Sequence, residues 1–167
     1  MLAVLTAQSL VLFVLESLLP LPMPAPGAKL GLCNVVTLFM LYNLPRASDA
    51  LIVIALRCTL SAALFGGPSV FVYGAAGAAA SFCVMLGLKK SRAFSLVGVS
   101  AAGGFFHNAA QLAVASWIAS SLSMWNYLPV LGAAGIISGV CTGFLCGELQ
   151  KKLPPNLLNR LAHTPRR

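Results

Sequence analysis

Long apolar runs, separated by short breaks rich in proline, glycine or basic residues, limit the fold of this chain more than any other feature. Only 8% of its 167 residues are charged, whereas a soluble domain carries about 25%. The mean hydropathy is +0.90. So few charges cannot cover a water-facing surface, and the sequence therefore predicts an integral membrane protein with little mass outside the bilayer.

The lengths of the apolar runs predict six membrane spans. A helix needs about 20 residues to cross the hydrocarbon core of a bilayer. Breaks at proline, glycine and charge clusters give candidate spans at about 2–19, 30–45, 48–66, 70–88, 93–121 and 127–148. We expect an all-α bundle of six transmembrane helices over residues 1–150, followed by a basic tail at 151–167. Because no basic segment precedes the first run, we expect an uncleaved span there.

Basic residues lie on alternate connections between the spans. If the N-terminus is cytoplasmic, the inner connections and the tail hold Arg46, Lys89, Lys90, Arg92, Lys151, Lys152, Arg160, Arg166 and Arg167. The outer connections hold Lys29 alone. Basic residues favour the cytoplasmic side, so we expect both termini there, in a multi-pass protein of the bacterial cytoplasmic (inner) membrane. The net charge of +8 then reflects topology and contact with anionic lipid, and we expect no nucleic-acid partner.

Polar side chains gather in the outer halves of the predicted spans. The set comprises Glu16, Lys29, Asn34, Arg57, His107, Asn108 and Gln111. An ionisable group at the centre of a bilayer costs about 2.5–3.5 kcal/mol even on a lenient scale, so such side chains turn toward the bundle interior. His107 and Gln111 are four apart and share one helix face. We predict a polar ligand pocket open to the outer side, covered by the proline-rich segment at 20–26.

Simpler interpretations remain open for most of this set. Glu16 can lie at the membrane interface, and Lys29 can extend its amine to water. His107, Asn108 and Gln111 can join helices by hydrogen bonds without any ligand.

Arg57 is harder to explain without a ligand. It lies at the middle of the third predicted span, where a guanidinium needs an anionic partner. Glu16 and a bound anion are the two candidates. Because Lys29, Arg57 and His107 outnumber Glu16, we expect an anionic or carboxylate-bearing ligand.

Small residues recur every four positions in two predicted spans. The sixth span carries a ridge of Gly135, Gly139, Gly143 and Gly147, which lets a neighbouring helix approach closely. We interpret this ridge mainly as internal packing. Ala3 and Ala7, at the cytoplasmic end of the first span, form a smaller surface of the same kind that can dock another membrane protein.

Several enzyme motifs are missing from the sequence. It contains no Walker motif, no G-x-S-x-G and no H-E-x-x-H. Its acids are Glu16, Asp49 and Glu148, far apart along the chain, whereas magnesium-dependent diphosphate chemistry needs clustered carboxylates. The cysteines show no metal-ligand spacing, and we interpret them as small buried apolar side chains. We therefore expect no catalytic residue, no metal and no cofactor, and a protein that is not an enzyme by itself.

Four segments resemble one known family: GAKLGLCNVVTLFMLYNL, RASDALIVIALRCTLSAALFGG, FHNAAQLAVA and YLPVLGAAGIISGVCTG. This is the Gx transporter family, whose members are often labelled heptaprenyl diphosphate synthase component I. The resemblance covers about residues 3–148. The family in turn resembles the substrate-binding S components of energy-coupling factor transporters, which have six helices, cytoplasmic termini and an outward pocket.

The resemblance implies roles for particular residues. Those that match the family's motifs are Gly27, Lys29, Gly31, Asn34, Arg57, His107, Asn108 and Gln111. Ala3 and Ala7 occupy the place of the face that meets the coupling subunit.

By this resemblance we expect a subunit that captures a small vitamin- or precursor-type ligand for an importer. A coupling transmembrane subunit and ATPase subunits would be supplied by other chains. The alternative is a non-catalytic membrane accessory (component I) of prenyl diphosphate or quinone biosynthesis. A third option is a structural membrane protein with no ligand.

Overall fold

The regular structure of the protein is helical throughout the part described by the computed structural model, which is residues 1–18, 31–65 and 67–154. The α-helices there are α1 (Leu2–Leu18), α2 (Asn34–Asn43), α3 (Ala47–Phe65), α4 (Gly67–Ser91), α5 (Leu96–Ile118) and α6 (Leu128–Lys152). A 3₁₀ helix, Leu122–Tyr127, leads into α6. The expected all-α class is confirmed for these residues.

Within the described residues, three segments are long and apolar enough to cross a membrane: Ala47–Leu64, Gly67–Ser91 and Leu122–Lys152. The helix α1 is apolar but has 17 residues. The helix α5 has 23 residues, and its polar side chains dilute its apolar character. Exposed positions on the helices carry many large apolar side chains, as suits a surface that faces lipid. These features are those of a membrane protein.

The helix α2 differs most from its expected span. We expected a span from 30 to 45, but residues 31–33 form a turn and the helix begins at Asn34. Its 10 residues give a length of about 15 Å, roughly half the thickness of the hydrocarbon core. Seven of these residues are buried, and α2 contacts all five other helices. It is therefore an internal helix, and the apolar core is built around its side chains Leu38, Met40 and Leu41.

Local chemistry explains the other shifted boundaries. The helix α4 begins at Gly67 instead of 70, because Gly67 has a φ of +67° that turns the chain directly out of α3. The helix α5 begins at 96 instead of 93, where Ser95 Oγ accepts a hydrogen bond from Gly98 N at 3.1 Å. It ends at 118 instead of 121, before Ser120 with a φ of 48°. Both α4 and α6 continue past their expected ends at 88 and 148, with lysines in their last turns.

The glycine ridge of α6 packs directly against α5. A Cβ at Gly135 would lie 2.5 Å from the carbonyl oxygen of Gly104, and one at Gly139 would lie 2.4 Å from that of Ser100. Backbones approach this closely only where neither carries a side chain at the contact. Residues late in α6 meet residues early in α5, so the two helices are antiparallel. The ridge members along this contact are Gly135, Gly139, Gly143 and Gly147.

Successive helices run in opposite directions, so the helix bundle has two distinct ends. One end holds the last residues of α1, α3 and α5 and the first residues of α2, α4 and α6. The other end holds the described basic residues Arg46, Lys89, Lys90, Arg92, Lys151 and Lys152. There Lys89 Nζ donates a hydrogen bond to the carbonyl oxygen of Leu41 in the last turn of α2 and lies 5.2 Å from the ring centre of Tyr42. Most of the expected basic tail, residues 155–167, lies outside the described residues.

Candidate functional site

The carboxylate of Glu16 is buried near the end of α1 and binds the turn that precedes α2. Its Oε1 accepts a hydrogen bond from Gly31 N at 2.7 Å, and its Oε2 accepts one from Leu32 N at 3.1 Å. The residue is 2% exposed, so it lies inside the bundle and not at an interface with water. Free N–H groups and a partial positive charge at the start of a helix favour an anion. Glu16 thus fixes the entry into α2.

Gly31 is required at this turn for two reasons. Its φ of +88° lies in the region that favours glycine. A Cβ there would also lie 2.9 Å from Asn34 Nδ2 and 3.0 Å from His107 Cδ2. The turn therefore brings α2 close to α5 only because residue 31 has no side chain.

The guanidinium of Arg57 is buried between two thiols. It is 4% exposed, its Nη1 donates to Cys33 Sγ in a close contact, and its Nη2 lies 3.7 Å from Cys58 Sγ. Glu16 is near enough for the two opposite charges to attract each other. A guanidinium has several N–H donors, and thiol sulfur is a weak acceptor. Within the described residues, much of the hydrogen-bonding capacity of Arg57 is therefore unused.

His107 and Gln111 lie together on α5, and both are 2% exposed. Gln111 Nε2 is 2.9 Å from His107 Nε2. Because an amide NH₂ group can only donate, this ring nitrogen accepts with the amide in that orientation, which leaves the imidazole neutral. A Cβ at Gly77 would lie 2.8 Å from His107 Cε1. The helix α4 therefore admits the ring because residue 77 is glycine.

These groups line one small cavity at the end of the bundle opposite the basic residues. Its walls come from α1, the turn before α2, and helices α3, α4 and α5, and they include Glu16, Arg57, His107 and Gln111. The cavity volume is about 10 Å³, which is room for about one water molecule. The structure therefore brings four of the predicted site residues together around a small space.

Two asparagines of the predicted set lie beside this cavity, outside its lining. Asn108 Nδ2 donates to the carbonyl oxygen of Leu131 at 2.8 Å, so this side chain joins α5 to α6. Asn34 is 6% exposed, and neither its Nδ2 nor its Oδ1 has a hydrogen-bond partner among the described residues. A buried amide left unpaired costs about 1–3 kcal/mol. The predicted site residue Lys29 lies outside the described residues.

Sequence reasoning missed the small residues that shape the cavity: Cys33, Cys58, Ser61, Gly74 and Gly77. We interpreted the cysteines only as apolar packing. One clue in the sequence was that two cysteines are next to predicted site residues: Cys33 precedes Asn34, and Cys58 follows Arg57. That signal is weak by itself, since neighbours on a helix point in different directions.

One side of α1 is exposed along the length of the helix. Ala3 and Ala7 are exposed there, together with Val4, Val11 and Leu15. The helix packs on α2 and α3 within the described chain. The predicted docking residues thus lie on a free helix surface.

Comparison with known proteins gives one family match. A family model described as heptaprenyl diphosphate synthase component I matches residues 5–149. No curated protein and no solved structure matches the chain. The match includes every described residue that lines the cavity. The chain therefore belongs to the family described as heptaprenyl diphosphate synthase component I, the family that its sequence motifs predict.

Proposed function

We propose that this protein is the substrate-capture subunit of an importer of the energy-coupling factor kind, and that it binds a small anionic vitamin- or precursor-type molecule beside Arg57. The observation that carries the proposal is the buried guanidinium, 4% exposed, whose hydrogen-bond acceptors among the described residues are two sulfurs. A buried charge with weak partners costs several kcal/mol. That cost is offset when an anion binds to the charge.

The proposal includes six helices that run alternately between the two sides of the membrane, with the short α2 inside the bundle and both termini in the cytoplasm of a bacterium. The described basic residues other than Arg57 lie at one end of the bundle and the cavity lies toward the other. Since basic residues favour the cytoplasmic side, the cavity faces outward. A ligand would then enter from outside the cell.

Capture in this site requires the cavity to widen. A volume of about 10 Å³ is far below the ~300 Å³ of the smaller ligand sites. The contacts of Arg57 with Cys33 and Cys58 are weak, so a carboxylate would displace them at little cost. The ligand therefore selects a more open arrangement of the helices around the cavity.

Transport itself would depend on other chains. Exposed Ala3 and Ala7 on α1 offer a small-residue surface on which a coupling transmembrane subunit can pack closely. ATPase subunits bound to that partner would supply the energy. In this account the protein is a binding subunit and carries out no chemistry.

The family description favours a second candidate function. A non-catalytic membrane accessory (component I) of prenyl diphosphate or quinone biosynthesis fits the description of the family. In that role the protein would assemble with a soluble prenyltransferase that performs the chemistry. The cavity would then help this protein to assemble with the prenyltransferase, or it would hold a lipid-soluble product.

Purification of the native complex distinguishes the two candidates. The tagged protein is extracted from its own host's membranes in mild detergent, and the co-purifying chains and small molecules are identified by mass spectrometry. Transport predicts a coupling subunit, ATPase subunits and a bound small anion. A soluble prenyltransferase in place of the ATPases would favour the accessory role. A protein that carries neither partner nor ligand would contradict both proposals.

A further inference from the structure

We infer that the pocket accepts a ligand group with one negative charge and the size of a carboxylate, and that it rejects a diphosphate. This inference rests on the proposed capture function and narrows its ligand class. It follows from the charges around the cavity, from the donors that remain free, and from the space available.

The net charge around the cavity is slightly positive and can be balanced by about one further negative charge. Arg57 supplies a buried cation and Glu16 a buried anion. With the Gln111 amide in the orientation that donates to Nε2, the imidazole of His107 is neutral. The start of α2 adds about half a positive charge. A monoanion would bring this total near zero, whereas a diphosphate would make the buried pocket strongly negative.

The free donors also fit a carboxylate better than a diphosphate. Phosphate groups in proteins are held by N–H groups at a helix start, by several basic side chains or by magnesium. In the turn that leads into α2, the N–H groups of Gly31 and Leu32 are already bound to Glu16. Among the described residues, no group of His, Cys, Asp and Glu side chains could hold a metal ion. The planar fork of Arg57 remains, and it matches one carboxylate in a bidentate pair.

The two thiols occupy the positions beside Arg57 that the oxygens of this carboxylate would take. Cys33 and Cys58 are each 3% exposed and approach the two Nη atoms of Arg57. A carboxylate is a much stronger acceptor than a thiol. Two carboxylate oxygens can therefore replace the two sulfurs. A diphosphate is larger and would also have to displace the Glu16 carboxylate from the start of α2.

The test uses the purified full-length protein and simple probes. Thermal unfolding in detergent is followed in formate, acetate or propionate, in the matched uncharged amides formamide, acetamide and propionamide, and in inorganic pyrophosphate, all at equal ionic strength. We expect the carboxylates to raise the unfolding midpoint in a saturable way and the amides and pyrophosphate to leave it unchanged. Arg57→Gln should abolish the response to carboxylates.

A second variant keeps the test informative if Arg57→Gln fails to fold. Arg57→Lys retains the charge but loses the planar fork, and we expect it to lower the apparent carboxylate affinity about tenfold. Stabilisation by pyrophosphate that depends on Arg57 would overturn the inference and leave the capture function standing. No response to any anion would also overturn the inference. The capture function fails separately, if the native complex carries no small molecule and no transport partner.

Discussion

Glu16 and Arg57 are opposite charges beside one cavity, and the protein uses them differently. Both oxygens of Glu16 bind backbone N–H groups at 2.7 and 3.1 Å, which is strong and permanent pairing for a buried carboxylate. The hydrogen-bond acceptors of Arg57 among the described residues are sulfurs. Glu16 therefore stabilises the fold, and Arg57 is the side chain to which a ligand would supply stronger hydrogen-bond acceptors.

Gly77 provides a residue-scale test of where His107 lies. In Gly77→Ala the new Cβ would lie 2.8 Å from His107 Cε1, and such overpacking costs about 1–3 kcal/mol. We expect a lower midpoint of thermal unfolding in detergent. Gly87→Ala is the matched control in the same helix, because nothing lies within 4 Å of a Cβ there. Equal midpoints for the two variants would contradict the packing of His107 against α4.

Sequence alone predicted the residue types around the cavity and the adjacency of His107 and Gln111, but not the hydrogen bonds between distant parts of the chain. Arg57 and the pair His107 and Gln111 were predicted because polar side chains are costly within apolar runs. The capping of α2 by Glu16 could not be predicted, because it joins residues 15 or more apart through tertiary packing. The bond from Asn108 to α6 is of the same kind. It supports the simpler interpretation of that one residue as a link between helices.

The helix α2 shows why apolar sequence does not fix helix length. Lipid and neighbouring helices both favour apolar side chains, so a buried short helix and a membrane span look alike in hydropathy. Contact with all five other helices explains why α2 is apolar on every side. Its ends are held by Glu16 and Lys89, an anion at the start and a cation at the end, as the helix dipole favours.

The contact between α5 and α6 can be tested at its closest point. A Cβ in Gly139→Ala would lie 2.4 Å from the carbonyl oxygen of Ser100, and backbone cannot move aside as a flexible side chain can. We expect destabilisation of about 1–3 kcal/mol or more, seen as a lower unfolding midpoint. The control is Gly147→Ala in the same ridge, whose Cβ would make an ordinary contact at 3.6 Å with a side-chain atom of Leu96. A control as unstable as Gly139→Ala would argue against this helix contact.

The exposed face of α1 makes a prediction about assembly. Leucine at both Ala3 and Ala7 should prevent partner subunits from packing closely. Both positions are exposed, so the unfolding midpoint of the isolated protein should stay the same. Co-purification of partner chains is the measurement. Val11→Leu, farther along the exposed side of α1, is the control that should still assemble, and normal assembly of the double variant would show that docking occurs elsewhere.

At the scale of the whole molecule, the distribution of charge predicts the topology. Cysteine placed at Ser123 should react with a membrane-impermeant maleimide in intact cells. Cysteine at Lys90 should react only after the membrane is permeabilised, because it lies at the basic end. Both are introduced into a background with the native cysteines replaced by serine or alanine. Labelling at position 90 in intact cells would reverse the proposed orientation.

The sequence predicted the fold class and the family of the whole molecule, because both depend on features spread along the chain. Composition indicated a helical membrane protein, and motifs from residue 27 to residue 111 indicated the family that the match over 5–149 shows. The size of the cavity could not be predicted in this way. It depends on small residues such as Cys58 and Gly74, whose effect appears only when the helices are packed.

Native mass spectrometry of the wild-type protein and of Arg57→Gln, both purified from their own host's membranes, tests the central claim most directly. The account predicts a bound small anion in the wild-type protein and its loss in the variant. Truncating one member of a buried charge pair costs about 2–5 kcal/mol, so affinity should fall by about 1.5 to 3.5 orders of magnitude. A folded Arg57→Gln variant that holds the same molecule at wild-type occupancy would contradict the account, because Arg57 would then play no part in binding.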